Sequence, residues 1–188
     1  MASDSGAKII TAALELLRTR GPAAVTIEAV AAHSGVARTT IYRRYRNRDE
    51  MLTAALLDVG TPSAPDGELS GEDRLRWVVR QAASMVVDGI GFGGMAALIT
   101  DTDPAFAELF RRVLGEHRTR LAEVLATGTA QGTLADGVDP DTVIDGIVGV
   151  LVAERARTGA IGPDWEGRVV AMFAPVALPA DVRVGNPE

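Results

Sequence analysis

Apolar side chains recur every three or four positions along most of this chain. No stretch shows the sustained alternation of apolar and polar residues that a half-buried strand requires. Between about Ser5 and Arg20 the apolar positions fall on one side of a predicted helix, and Gly21 followed by Pro22 stops it. The pattern predicts an all-α fold.

Two short helices joined by a sharp turn are predicted within residues 26–45. Thr26 can cap the first helix, which ends near His33. Gly35 supplies the turn, because glycine reaches positive φ without a Cβ clash. The second helix runs from about Ala37 to Tyr45 and turns an apolar face toward the first. A further helix from about residue 48 to residue 60 turns four apolar residues inward: Met51, Leu52, Ala55 and Leu56.

The remaining helices are predicted from apolar periodicity and from Asp-Pro or Pro-Asp pairs that can open a helix. They cover residues 72–88, 95–100, about 103–127, 139–157 and 163–176. The glycine-rich run 89–94 is interpreted as a flexible connector that breaks the first of them.

The predicted organisation is an N-terminal three-helix helix-turn-helix module over residues 1–60 and a C-terminal helical domain over residues 61–179. Residues 180–188 are predicted to form a frayed tail. The boundary is placed in residues 61–71, which contain two prolines and two glycines between the modules.

Charge is distributed unevenly between these parts. The chain carries a net charge of −6, but residues 1–60 hold eight basic and six acidic side chains, and the remainder hold eleven and nineteen. Residues 37–48 contain five arginines and no carboxylate. The positive field is therefore local, which favours nucleic-acid binding at one end of the molecule only.

The N-terminal pattern resembles the TetR family of bacterial transcriptional regulators. The matching positions between Ile9 and Leu56 are Ala12-Ala13-Leu14, Gly21, Thr26, Val30-Ala31, Gly35-Val36, Thr40-Ile41-Tyr42, Tyr45, Arg48 and Met51-Leu52. Ala37 and Arg48 depart from the small polar residue and the lysine that are usual there. The resemblance implies a regulator, in most cases a repressor, that binds a palindromic DNA operator as a homodimer and is released by a small molecule.

This resemblance assigns DNA contacts to seven residues. Residues at the start of a recognition helix reach base edges, whereas later ones meet phosphate. Arg38, Thr39 and Thr40 are therefore predicted to read bases, and Tyr42, Arg43 and Arg48 to contact the backbone. Thr26, at the start of the preceding helix, completes the predicted DNA-binding set.

The resemblance also implies an effector site between the central helices, where aromatic and Met side chains cluster with a few polar groups. The predicted effector-binding residues are Trp77, Gln81, Ser84, Met85, Phe92, Met95, Thr100, Phe106, Phe110 and His117. The last two helices carry more apolar surface than one small core covers, which predicts a dimer interface. Its predicted residues are Ile144, Ile147, Val148, Leu151, Trp165, Val169, Met172 and Phe173.

The sequence gives little indication of metal binding, cofactor binding or catalysis. The chain has no cysteine, its two histidines are far apart, and no nucleophile or zinc-protease motif is present, so no metal, cofactor or catalytic residue is expected. Residues 89–94 match G-x-G-x-x-G but lack the surrounding βαβ pattern. No signal peptide or apolar run of 18 residues is apparent, which favours the cytoplasm and no membrane partner. Two alternatives stay open: a helical ligand-binding or scaffolding protein that reads no operator, and a nucleotide-dependent enzyme.

Overall fold

The computed structural model describes residues 2–59, 62–65 and 67–180, and over these residues it contains helices and loops but no strand. The α-helices are α1 (Ala2–Arg20), α2 (Ile27–Ser34), α3 (Arg38–Arg44), α4 (Arg48–Val59), α5 (Gly71–Ser84), α6 (Gly91–Thr100), α7 (Pro104–Ala130), α8 (Pro140–Thr158) and α9 (Trp165–Ala177). A 3₁₀ turn (Pro22–Ala24) precedes α2, and a π-helix (Met85–Ile90) lies between α5 and α6. The predicted all-α fold is confirmed.

The chain forms two compact units. The first comprises the chain up to residue 60 together with Met85–Gly115, and the second comprises Thr61–Ser84 with the chain from Glu116 onward. The predicted division at residue 60 differs from this arrangement, because Met85–Gly115 packs with the N-terminal helices. Residues 181–188 of the predicted tail lie outside the described residues.

Helices α1 to α4 of the first unit share a core with the segment Met85–Gly115. Its fully buried members include Ile9, Leu17, Ile41, Met51, Leu56, Ile90, Phe106 and Phe110. The rings of Phe106 and Phe110 stack with centroids 6.1 Å apart. Burial of this apolar surface fixes the helix-turn-helix on a support contributed from later in the chain.

The predicted helix caps are present. Thr26 accepts a hydrogen bond from the Ala29 amide at 3.1 Å, and Gly35 ends α2 in the left-handed conformation with φ of 70°. Asp103 accepts from the Phe106 amide at 3.0 Å and Asp139 from the Thr142 amide at 2.9 Å, which caps α7 and α8. Each cap satisfies an amide that has no partner within its own helix.

The expectation of a flexible connector over residues 89–94 is wrong. Residues 89 and 90 end the π-helix and residues 91–94 begin α6, and at this junction Gly91 has positive φ, at 67°. The glycines resemble a loop in sequence because they serve tertiary packing and not local helix propensity. Low helix propensity is overridden where the absence of a side chain lets two backbones meet.

The glycines of α6 face the C-terminal end of α1. A Cβ at Gly91 would overlap the Arg18 backbone, and one at Gly93 would lie 2.8 Å from the Gly21 nitrogen and 3.0 Å from the Leu17 oxygen. The Arg18 Nε donates a hydrogen bond to the Gly89 carbonyl at 3.0 Å. Close backbone contact therefore joins α6 to the C-terminal end of α1.

The segment from α5 to α6 also contains a longer stretch of high mean hydropathy than the sequence analysis indicated. Gly71–Thr100 contains a window of 18 residues with mean hydropathy 1.6, which is long and apolar enough to cross a membrane by length and composition alone. The core helix of a soluble protein passes the same test, and 44% of this window is buried inside the protein.

The second unit packs α5 against α8 and α9. Arg74 of α5 is buried and donates to the Val124 carbonyl at 3.0 Å and to the Gln131 side chain at 2.7 Å. Glu166 of α9 accepts from Arg80 at 2.7 Å and from Arg76 at 3.4 Å. The hydrogen bond from Arg80, more than any other interaction, holds the pKa of the Glu166 carboxyl below its ordinary value.

Candidate nucleic-acid interface

Helix α3 exposes a basic and polar face on one side and buries an apolar face on the other. Ile41 and Tyr45 are buried in the core of the first unit, whereas Arg38, Thr39 and Arg43 are exposed. This division follows from spacing, because residues four apart share a helix face. The structure thus places four of the seven predicted DNA-binding side chains in solvent on one short helix, with Tyr42 as the fourth, and α3 is hereafter the recognition helix.

Tyr42 and Thr40 complete that surface. The ring of Tyr42 is 52% exposed, although a large aromatic side chain usually finds cover in a folded core. Thr40 is half-buried, and so is Thr26, whose hydroxyl oxygen is occupied by the cap of α2. Thr26 therefore fixes the start of α2 through this cap.

Two further arginines lie at the C-terminal end of the recognition helix and just beyond it. The Arg44 guanidinium covers Gly6 of α1 so closely that a Cβ there would lie 2.7 Å from its central carbon. Arg46 is exposed, and its backbone amide donates to Glu50 at 2.7 Å. Asn47 accepts from the Glu50 amide at 2.8 Å, which caps α4 and fixes the turn that ends the recognition helix.

Arg48, which is predicted to contact the DNA backbone, is instead bonded within the first unit. Its guanidinium donates to the Pro22 carbonyl at 2.7 Å, to the Val25 carbonyl at 3.0 Å and to the Asp103 carboxylate at 2.7 Å, and it also meets Asp49 at 3.2 Å. The carbonyls come from a turn 23 and 26 residues earlier in the chain. Sequence periodicity carries no signal for such a contact.

The predicted effector residues divide between the two units. Trp77, Gln81, Ser84 and His117 belong to the second unit, and the other six belong to the first. Within the second unit, His117 is buried and its Nε2 lies 3.3 Å from the Gln81 carbonyl oxygen. Trp77 and Ser84 are half-buried.

Three of the six in the first unit fill its core. Met85, Phe106 and Phe110 are almost fully buried among residues of α1 and α4, so their side chains support the helix-turn-helix. Thr100 is exposed and donates to the Ala96 carbonyl at 2.7 Å. Phe106 also borders a cleft of about 260 Å³ between α4 and α7, together with Leu52 and Leu109. The sequence periodicity identified the apolar positions correctly, but it contains no information about which helix packs against each of them.

The predicted dimer residues need a similar correction. Ile144, Ile147, Leu151, Trp165 and Val169 are buried in the chain's own second unit, where α8 and α9 pack against α5. Val148 and Phe173 are half-buried, and Met172 is 51% exposed. Val176, which was outside the predicted set, is 63% exposed one turn after Met172.

In the described part of the chain, the geometry supports neither a dinucleotide site nor a metal site. The G-x-G-x-x-G match lies in helical backbone against α1, where a dinucleotide fingerprint requires a strand before it. Over the same residues, no group of three or more His, Asp or Glu side chains is arranged to hold a metal ion.

An all-α chain that presents an exposed arginine, threonine and tyrosine surface on the second helix of a helix-turn-helix is a DNA-binding transcriptional regulator. Comparison with known proteins gives the family. Residues 9–55 match the model for bacterial regulatory proteins of the tetR family, and residues 64–173 match a tetracyclin repressor-like C-terminal domain. The second match alone spans more than half of the chain, and the protein belongs to the TetR family.

Individual relatives agree with this assignment. The chain is 26% identical over 161 residues to the helix-turn-helix-type transcriptional regulator YdeS of Bacillus subtilis, covering 80% of this chain and 78% of that protein. A TetR-family regulator from Rhodococcus sp. has the same fold, with TM-score 0.73, 18% identity and coverage of 93% and 98%. A regulator from Saccharomonospora viridis in complex with choline also has this fold, with TM-score 0.63 and 19% identity. The match covers 94% of this chain and 99% of that protein.

Proposed function

We propose that this protein is a cytoplasmic homodimeric repressor that binds a palindromic operator through the recognition helix and is released by a small molecule. The exposed, acid-free surface of Arg38, Thr39, Tyr42 and Arg43 carries the proposal. Arg38 and Thr39, in the first turn, are suited to guanine edges and thymine methyl groups, and Tyr42 and Arg43 to phosphates.

Selection of bound sequences from a random duplex pool tests operator recognition. We expect recovered sequences to be palindromic, with half-site centres about 34 to 36 Å apart, because one face of DNA repeats at that distance. Recovery of no preferred sequence would instead support the alternative of a helical ligand-binding protein that reads no operator.

Dimerisation is proposed through the outward faces of α8 and α9. Met172 and Val176 lie four residues apart on α9 and are exposed, beside the half-buried Phe173, whose ring lies against Gly146 of α8. Exposed apolar side chains at helical spacing favour burial against another helix. Two such faces related by twofold symmetry would form a four-helix bundle.

The prediction from this surface is that Met172→Asp and Val176→Asp separate the subunits without unfolding them, because each introduces a charge where the dimer needs an apolar contact. Sedimentation velocity at micromolar concentration should show monomers, with unchanged helical circular dichroism. Leu57→Asp on α4 is the matched control, since Leu57 is 57% exposed, and it should stay dimeric. A wild-type protein that sediments as a monomer would remove the dimer from the proposal.

The effector is proposed to bind in the second unit around Trp77, Gln81, Ser84 and His117. These residues combine aromatic surface with amide, hydroxyl and imidazole groups, a lining suited to a mostly apolar ligand with a few polar atoms. The choline bound by the Saccharomonospora viridis regulator makes choline a reasonable first probe beside a general small-molecule library.

We expect a compound that releases the operator to change the fluorescence of Trp77 in a Trp165→Phe background, where Trp77 is the remaining tryptophan. Ser84→Leu should reduce release by at least about tenfold while sparing operator binding, because it fills space that the ligand requires. Ala126→Leu, at an exposed position on α7, is the control and should respond normally. Releasing compounds that leave Trp77 fluorescence unchanged would place the effector elsewhere.

A further inference from the structure

Arg48 connects three parts of the first unit. Through Nε and Nη2 it donates to the carbonyls of Val25 and Pro22, at 3.0 and 2.7 Å, and through Nη2 also to Asp103 at 2.7 Å. Its remaining nitrogen, Nη1, meets Asp49 of its own helix at 3.2 Å. The planar guanidinium presents several donors in a fixed geometry, which a lysine ammonium cannot reproduce.

The two carbonyls belong to the 3₁₀ turn that leads into α2. The Pro22 oxygen also accepts from the Val25 amide at 3.0 Å, which closes the turn, and Thr26, the cap of α2, follows at once. Both Pro22 and Val25 are buried. Because the recognition helix follows α2 after Gly35, the position of this turn sets where the recognition helix points.

Asp103 makes two different contacts with its two oxygens. Oδ1 accepts from the Phe106 amide at 3.0 Å and caps α7, while Oδ2 accepts from Arg48. The Arg48 and Asp103 side chains are only 26% and 18% exposed, so solvent screens their attraction less than that of a surface pair. A displacement of the first turn of α7 therefore moves a group that is bonded to the turn before α2.

We propose that Arg48 is a positioning residue for operator binding, which holds the first turn of α7, through Asp103, to the turn before α2 and so sets the orientation of the recognition helix. The proposal rests on the proposed operator binding, and it replaces a direct contact of Arg48 with DNA phosphate. Asp103 is the group through which a shift of α7 changes the affinity for DNA.

Asp103→Asn tests the proposal, because Asn keeps an oxygen for the Phe106 amide and loses the charge that holds Arg48. Affinity for the selected operator should fall about tenfold, since a smaller fraction of molecules holds the recognition helix in the binding orientation. The dependence of affinity on salt should not change, because no phosphate contact is lost. A phosphate-contacting Arg48 predicts equal or tighter binding by Asp103→Asn.

Arg48→Lys distinguishes the effect of the positive charge from that of the guanidinium hydrogen bonds. It keeps a positive charge for a phosphate but cannot reach all the present acceptors, so positioning predicts the same loss of affinity as Asp103→Asn. The double variant should be no weaker than either single one, because both remove one connection. Asp101→Asn is the matched control and should bind normally, since Asp101 is exposed, has φ of 50°, and Asn tolerates that conformation.

Hydrogen exchange without DNA gives a readout that does not depend on operator binding. Amides of α2 should exchange about tenfold faster in Asp103→Asn than in Asp101→Asn, because the turn that precedes them is released. If the wild-type protein selects no DNA sequence, operator binding fails and exchange alone decides whether Arg48 positions α2. Unchanged exchange overturns the proposal, and so does unchanged operator affinity of Asp103→Asn when the wild type selects an operator.

Discussion

Gly91→Ala should lower the free energy of unfolding by about 2 to 5 kcal/mol. The substitution places a side chain at φ of 67°, which costs roughly 1 to 2 kcal/mol for any L-amino acid that carries a Cβ. It also directs the new methyl group into the Arg18 backbone of α1, where overpacking adds about 1 to 3 kcal/mol. Urea unfolding followed by circular dichroism measures the loss, which is a large part of the stability of a typical domain.

Gly115→Ala provides the control with the opposite sign. Gly115 is exposed in the middle of α7, and a Cβ there would meet nothing within 4 Å. Alanine should therefore stabilise the protein by about 0.5 to 1 kcal/mol through helix propensity alone. If Gly91→Ala and Gly115→Ala shift the urea midpoint in the same direction, the contact between α6 and α1 does not have the assigned importance.

Gly91 also shows where sequence reasoning reached its limit. Several glycines within six residues normally indicate a loop, and local propensity contains no information about α1, some seventy residues earlier. The helix-turn-helix could be predicted because its signals are local: a cap at Thr26, a left-handed glycine at Gly35, and apolar spacing through Ile41 and Tyr45. Such features depend on neighbours within one or two turns.

Arg48 shows that contacts between distant parts of the chain could not be predicted from the sequence either. Its position before Met51 and Leu52 matched the family pattern, and its charge suited phosphate, but its acceptors come from Pro22, Val25 and Asp103. No periodicity links these positions. The same holds for α9, where the spacing predicted apolar positions correctly yet did not distinguish the buried Val169 from the exposed Met172.

Simultaneous replacement of Arg38, Tyr42 and Arg43 by alanine should abolish operator recognition while the protein remains folded. All three side chains are exposed on the recognition helix, so their removal opens no cavity. Loss of a base-reading arginine costs about 1 to 3 kcal/mol, and each lost phosphate contact weakens binding to every sequence and lowers the salt slope by about one. Together these losses should reduce operator affinity at least about a thousandfold, to the range of non-specific binding.

In a gel-shift titration, the single variants distinguish side chains that contact bases from side chains that contact phosphates. Arg38→Ala should relax base preference at one position of each half-site, whereas Arg43→Ala should weaken all sequences alike. Tyr42→Phe isolates the contribution of the hydroxyl group. Arg111→Ala combined with Arg157→Ala removes two exposed arginines outside the recognition helix and should leave operator affinity within about twofold, because screened distant charges contribute little at physiological salt. Equal losses in this control pair and in the recognition-helix variants would mean that net charge, and not the surface of α3, governs binding.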